Sequence, residues 1–333
     1  MLGVLLAAGL SVARPVDHPV SSIFDSRSTP ADVIKQHSYL VLAITTVIFV
    51  VVCSLLVFAV VRFRERPAVA SREPAQVYGS TQIELAWTII PILIVIVLFL
   101  AAARVIHYVQ DAPKPASAVE VTAIGHQFWW EFRYPALGIV TANELHIPVS
   151  NPSSPTPTFL KLLSADTDHS FWIPQLAGKT DLIPNRVNQM WMDPHETGLF
   201  LGQCAQYCGT QHAKMLLRVS VDTAADFASW VRAQKQPPGA DEKEVQGRRV
   251  FESTACLNCH EVGGTIGNGR FGPDLTHLMS RSTIAAGAAK NTPENLRLWI
   301  QNPDAIKPGS LMPAMKLSDP DLDALVRYLE TLR

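Results

Sequence analysis

The chain has 333 residues, with 28 basic and 29 acidic side chains and a formal net charge of −1. That length fits two or three domains, and so even a balance excludes the strongly basic surface that nucleic-acid binding requires. Apolar residues make up 48% of the chain, and the excess over an ordinary soluble protein is concentrated near the N-terminus.

Residues 1–38 form an N-terminal segment. Met1 to Ala13 is apolar and ends in Ser-Val-Ala, which reads as a signal peptide over 1–13 without the usual basic start. An uncleaved tail is the alternative. Residues 14–38 are polar and carry no clear structural signal. A transmembrane hairpin is expected over 39–104. Its spans, about 39–61 and 85–103, are uncharged, and roughly 20 helical residues cross a hydrocarbon core of about 30 Å. Pro91 lies in the second span, where neighbouring groups can satisfy the freed carbonyl. Cys53 in the first span reads as a small apolar filler. Arg62, Arg64, Arg66 and Arg72 between the spans place that loop in the cytoplasm. Everything beyond residue 104 is then expected on the periplasmic face of a bacterial inner membrane.

After a Pro-rich exit at 111–117, the pattern turns to short β-branched and aromatic runs: VEVTAIG, QFWWEFRY, NELHIPV, TFLKLLS, RVNQMWM, TGLFLGQ and MLLRVSV. Pro, Gly and Asn separate them, which predicts a β-sandwich or barrel over 117–231. A Pro-Pro-Gly linker follows at 232–240. Residues 241–333 read as helical. Thr292-Pro293 and Asp319-Pro320 open helices, and Leu322, Leu325, Val326, Leu329 and Leu332 recur at helical spacing.

Two metal motifs lie in these domains. In GQCAQYCGTQHAKM, one loop carries Cys204, Cys208, His212 and Met215. Thiolate, imidazole and thioether are soft ligands that favour copper over magnesium or calcium. A mononuclear blue-copper site needs one Cys; two point to a pair of coppers bridged by both thiolates. A second imidazole must come from elsewhere. His169 is the leading candidate, at the end of a predicted strand, ahead of His126, His146 and His195. A 204–208 disulfide is the alternative in an oxidising compartment. The second motif, Cys256-Leu-Asn-Cys259-His260, is a c-type haem attachment pattern. Cys256 and Cys259 would bond the haem and His260 would ligate its iron. The distal ligand is expected to be Met312, in a loop framed by Gly and Pro, with Met315 and Met279 as competitors. A His/Met pair suits an electron carrier. Gly247 is expected to let the terminal helices cross near Tyr328.

SADTDHSFWIP followed by GQCAQYCGTQHAKM resembles subunit II of the haem–copper cytochrome c oxidases, over residues 30–231. A cytochrome c domain fused behind it is similar to the caa-type oxidases. The resemblance implies two transmembrane α-helices, a cupredoxin-like Greek-key β-barrel and an all-α class I cytochrome c domain. It implies a binuclear CuA centre held by His169, Cys204, Cys208, His212, Met215 and the backbone carbonyl of Gln206. The family often has Glu at that position and uses its carboxylate for magnesium; Gln206 leaves a magnesium ion without that charge. Gly272-Pro273-Asp274-Leu275 resembles the cytochrome c loop in which a Pro carbonyl orients the proximal imidazole, here Pro273 on His260. GHQFWWEFRY resembles the electron-entry region, with Phe128 where Trp is usual, so Trp129 and Trp130 are candidates for the electron path. Glu84 stands where the family places the entrance of a proton path.

The function so implied is electron entry into a proton-pumping terminal oxidase. Its partners would be oxidase subunits I and III, with a quinol–cytochrome c reductase or a small cytochrome c as donor. The spans contain no histidine, so the oxygen-reducing site must lie on another subunit. A CuA-bearing subunit of a nitric oxide reductase and a membrane-anchored copper-binding module are the alternatives.

Overall fold

The structure is a computed structural model that describes residues 17–18, 21–64, 76, 78–151, 153, 155–239 and 244–333. The expected signal peptide, Arg66 and Arg72 lie outside these residues.

The chain divides into two units, residues 32–112 and the remainder. The smaller unit carries two long helices, Thr29–Arg62 and Thr81–Gln110. At 1.5 Å per residue each exceeds a bilayer core of about 30 Å. Their apolar stretches are unburied along their length, as lipid-facing helices would be. The first helix starts at Thr29, within the segment expected to lack structure. Polar residues such as Asp32 and Lys35 hide that start from an apolar-run criterion, yet they pair with each other at 3.3 Å across one helical turn.

The β domain is two facing sheets. One contains Ile139–Ala142, Trp129–Tyr134, Val119–His126, Thr158–Ser164 and Asn188–Met192, in that spatial order. The other runs Glu144–Pro148, Leu216–Asp222, Gly198–Cys204, His169–Trp172 and Thr180–Leu182, with Asp17–His18 added beside Gly198–Cys204. Val119–His126 with Thr158–Ser164, and Glu144–Pro148 with Leu216–Asp222, pair in parallel. Those crossovers tie the sheets together. Trp130, Phe132, Phe171 and Phe200 fill the space between them. This is the cupredoxin-like arrangement expected from the sequence.

Two details depart from the pattern reading. His169 begins its strand rather than ending one. Helix Ala224–Gln234, capped by Thr223 through the Asp226 amide, runs through the expected domain end at 231. Phe227, Trp230 and Val231 anchor it on the β core.

The C-terminal domain is helical. Val245–Ser253, Cys256–Cys259, Pro293–Gln301, Pro303–Ile306 and Asp319–Glu330 surround a core that includes Phe251, Leu296, Leu325 and Leu329. Thr292 and Ser318 accept from the Asn295 and Asp321 amides, N-caps worth about 1 kcal/mol each. The first and last helices touch at Gly247, where a Cβ would come within 2.0 Å of the Ala324 carbonyl oxygen. Gly247→Ala is therefore expected to destabilise this domain by at least about 1–3 kcal/mol. A denaturant titration followed through haem absorbance checks this; an unchanged midpoint would show that the helices can separate freely.

Candidate functional site

Cys204 closes strand Gly198–Cys204 and Met215 precedes strand Leu216–Asp222, so the metal loop is the tip of a hairpin. The Cys204 amide donates to the Met215 carbonyl at 2.9 Å, and the Ala205 amide to the Ser170 carbonyl at 2.9 Å. The first bond ties the two loop ends together, and the second fixes the Cys204 end against the strand that carries His169.

The sequence-predicted ligands converge there. Cys204 Sγ and Cys208 Sγ lie 3.8 Å apart, well beyond the ~2.05 Å of a disulfide, and both thiols are free. His169 Nδ1 is 3.9 Å from Cys204 Sγ, and His212 Nδ1 is 3.8 Å from Cys208 Sγ. Met215 Sδ is 3.8 Å from Cys208 Sγ, and the Gln206 carbonyl oxygen is 3.2 Å from Cys204 Sγ. Metal–sulfur and metal–nitrogen bonds of about 2.0–2.3 Å, the zinc values, fit between atoms so spaced. The donor set thus suits a soft metal, as copper requires.

Electrostatics prepare the sulfurs. The hydrogen bonds from Cys208 and His169 hold the Cys204 thiol well below its usual range against the opposing effect of burial, while Cys208, hydrogen-bonded to Cys204 and buried, is pushed up. Burial alone would lower His169, but its bonds to Asp166 and Cys204 leave it raised. Asp166 accepts from His169 Nε2 at 2.8 Å and from the Gln127 amide at 2.6 Å. This carboxylate fixes the ring so that Nδ1 faces the sulfurs, the usual support for a ligating imidazole. Sequence reasoning missed Asp166, although an acidic residue three positions before a ligand His is a readable signal. The other histidines are engaged elsewhere: His126 with Glu131 at 3.0 Å, His146 with Asp222 at 2.8 Å and His195 with Thr29 at 3.0 Å.

A cavity of about 220 Å³ is lined by Cys256, Cys259, His260, Met312 and Met315 among others. His260 Nδ1 lies 2.7 Å from the Pro273 carbonyl, which leaves Nε2 as the available ligand atom. Burial holds this imidazole below its usual pKa, in the neutral form that binds metal. A Cβ on Gly272 would approach the His260 ring to 2.4 Å, so the loop packs flat against the ring. These residues fit a haem. Met312 and Met315 both line the cavity, whereas Met279 does not figure among its lining residues.

Trp130 is fully buried and packs edge-to-face on His169, ring centres 6.0 Å apart. Trp129 is buried, stacks on His126 at 4.2 Å and packs against Ala286 of the helical domain. Glu84 occupies the first turn of the second long helix, remote in sequence from both sites.

Three family models match the chain: the transmembrane domain of cytochrome c oxidase subunit II over residues 20–105, its periplasmic domain over 143–222, and cytochrome c over 244–333. Cytochrome c oxidase subunit 2 of Alkalihalophilus pseudofirmus is 33% identical over 93% of this chain and 90% of its own length. The chain belongs to the cytochrome c oxidase subunit II family. The Bacillus subtilis subunit 2 is 31% identical over 93% of this chain and 92% of its own length. A quinol oxidase subunit 2 from Bacillus spizizenii is 31% identical over 66% of this chain and 68% of its own length. Among solved structures, the periplasmic domain of subunit II of a Bradyrhizobium japonicum oxidase is 30% identical, covering 37% of this chain and 96% of that one, with a TM-score of 0.34. This subunit II is thus an oxidase subunit through which electrons enter, membrane-anchored and built for a copper centre and a haem.

In this subunit II the copper and cytochrome domains are docked. Glu144 of the β domain accepts from the Ser282 amide at 3.0 Å, the Ser282 hydroxyl at 2.7 Å, the Thr283 amide at 2.9 Å and the Thr283 hydroxyl at 2.7 Å. Lys307 reaches back to donate to the Phe128 carbonyl at 2.7 Å. Gln211, beside the candidate ligand His212, donates to the Lys307 and Pro308 carbonyls at 2.9 and 3.1 Å. Burial pulls the Lys307 ammonium down to about 7. Nothing in the sequence flagged these long-range partners. Hydrogen bonds to a charged group are worth about 1.5–3 kcal/mol each. Glu144→Ala is expected to speed amide hydrogen exchange at Ser282 and Thr283 about tenfold or more, the equivalent of ~1.4 kcal/mol. Unchanged exchange would mean that the two domains are held elsewhere.

Proposed function

We propose that this subunit holds a binuclear CuA centre and one covalent haem c, and receives electrons on the haem side for delivery to a haem–copper subunit I. When bound, the two cofactors supply one-electron carriers between a reduced cytochrome or quinol–cytochrome c reductase and the oxygen-reducing site of that partner. The observation that carries this reading is the division of ligands about the sulfur pair. His169 stands by Cys204, and His212 and Met215 stand by Cys208. Two sulfurs shared between two such ends favour a bridged metal pair over one metal ion.

The protein's own groups do the rest. Asp166 sets the His169 tautomer, and Pro273 sets that of His260. Phe128 and Trp129, at the expected electron-entry region, face the chain's own cytochrome cavity. Trp129 and Trp130 are the proposed path, because one borders that cavity and the other touches His169. Docking makes delivery intramolecular, at the effective concentration of a fixed contact. The proposed orientation puts both domains on the periplasmic face, with Glu84 at the cytoplasmic mouth of a proton path in subunit I. Subunit III is the further expected partner, and Gln206 supplies no carboxylate for magnesium. The full ligand set favours a cytochrome c over a quinol as donor. The family membership disfavours both a nitric oxide reductase and a stand-alone copper module.

Two variants of the assembled oxidase test this. Cys208→Ser is expected to lose the two-copper paramagnetic signal. Its haem should still be reduced by donor but should no longer be reoxidised by oxygen. Normal reoxidation would sink the proposal. Met312→Ala is expected to lose the sulfur-to-iron absorption band and to lower the haem potential, since His/Met ligation raises it. A retained band would transfer the distal role to Met315.

A further inference from the structure

The two ends of the copper loop are held by different domains. At the His169 end the supports belong to the copper domain. Asp166 accepts from His169 Nε2 and from the Gln127 amide, and the Ala205 amide reaches the Ser170 carbonyl. At the other end, segment 210–216 carries the candidate ligands His212 and Met215, and the cytochrome domain grips it at two places. The first is segment 306–309. Gln211 donates to the Lys307 and Pro308 carbonyls, and Lys214 Nζ donates to the Ile306 carbonyl at 3.3 Å. A Cβ on Gly309 would come within 3.1 Å of the Thr210 hydroxyl. The second is the turn at 285–287. The Leu216 amide, next to Met215, donates to the Ala286 carbonyl at 3.2 Å, and a Cβ on Gly287 would stand 3.1 Å from the Leu216 Cβ.

That turn has a shape the chain would not choose alone. Thr283–Ile284 and Ala289–Lys290 pair as a short hairpin. Between them Ala285, Ala286 and Gly287 have φ of 53°, 55° and 82°. The left-handed region costs an alanine about 1–2 kcal/mol, and such backbone persists where its surroundings hold it. Here Ala286 is buried with Trp129 and Ala142 of the copper domain, so the docked partner supplies those surroundings.

We propose that the docked cytochrome domain braces the His212–Met215 end of the copper site, with Gln211 and the Ala286 carbonyl as positioning groups, so that copper binding and domain docking strengthen each other. This rests on the copper reading given above. Coupling of this kind is reciprocal: the factor by which docking raises copper affinity is the factor by which copper favours docking. The His169 end is supported within its own domain, so parting the domains loosens one end of the pair and spares the other. The haem-bearing domain thus helps to build the centre it feeds.

Amide hydrogen exchange at Ser282 and Thr283 reads docking at a point outside the copper loop, since both amides donate to Glu144. It is measured on the full chain, matured with haem and with its thiols kept reduced. Adding copper is expected to slow exchange at both amides about tenfold, a coupling of ordinary size. Equal rates with and without copper would overturn the proposal. The converse experiment follows loss of copper to a copper(I) chelator. Ser282→Ala combined with Thr283→Val removes both hydroxyl donors to Glu144 and leaves every candidate copper ligand in place. This variant is expected to release copper about tenfold faster and to show unequal hyperfine splitting from the two copper nuclei. Release at the unmodified rate from parted domains would overturn the proposal. Should the variant fail to fold or to loosen the contact, the exchange comparison on the unmodified chain decides alone. Paramagnetic resonance of the loaded, unmodified chain separates the two levels. A two-copper signal with copper-independent exchange refutes only this inference, whereas a single localised copper refutes the function reading beneath it.

Discussion

Two sulfur atoms held 3.8 Å apart inside a folded hairpin are the constraint on which the copper site depends. The hydrogen bond from Cys208 favours the thiolate at Cys204, and that bond together with burial pushes Cys208 up. A metal ion would bind both as thiolates, so metal affinity and folding of the loop are linked. The strand bonds at Cys204 and Ala205, the Asp166–His169 pair and the packing of Trp130 against His169 all hold the site in one geometry. A site of fixed geometry needs little rearrangement on changing its charge, which is what fast electron transfer demands.

The second consequence lies at the domain boundary. A tether alone would leave the cytochrome domain to search for the copper domain. Here Gln211, adjacent in sequence to His212, is bonded to the backbone at 307–308, and the Met312 loop follows directly. The segment between Gln211 and Met312 therefore connects the two metal regions through a few buried hydrogen bonds. The same contacts cover Phe128 and Trp129, so the surface expected to receive an external donor is occupied by the chain's own domain.

The candidate ligands could be read from the sequence because their chemistry is local. Cys204 to Met215 spans one loop and Cys256 to His260 spans a single turn. The longer strands were legible as β-branched and aromatic runs between Pro, Gly and Asn, and the two long C-terminal helices from Pro in their first turn. Ile139–Ala142 and Thr180–Leu182 are too short to show a period. The start of the first membrane helix was hidden by its charged residues. Glu144 and Lys307 were invisible for a different reason. Each looks like an ordinary charged residue, and its burial is created by partners more than a hundred positions away.

The most direct test is electron paramagnetic resonance combined with metal analysis on the full chain, matured with haem and supplied with copper. The account predicts two coppers per covalent haem, with hyperfine splitting shared equally between two copper nuclei. One localised copper, or a Cys204–Cys208 disulfide with no copper, would contradict it.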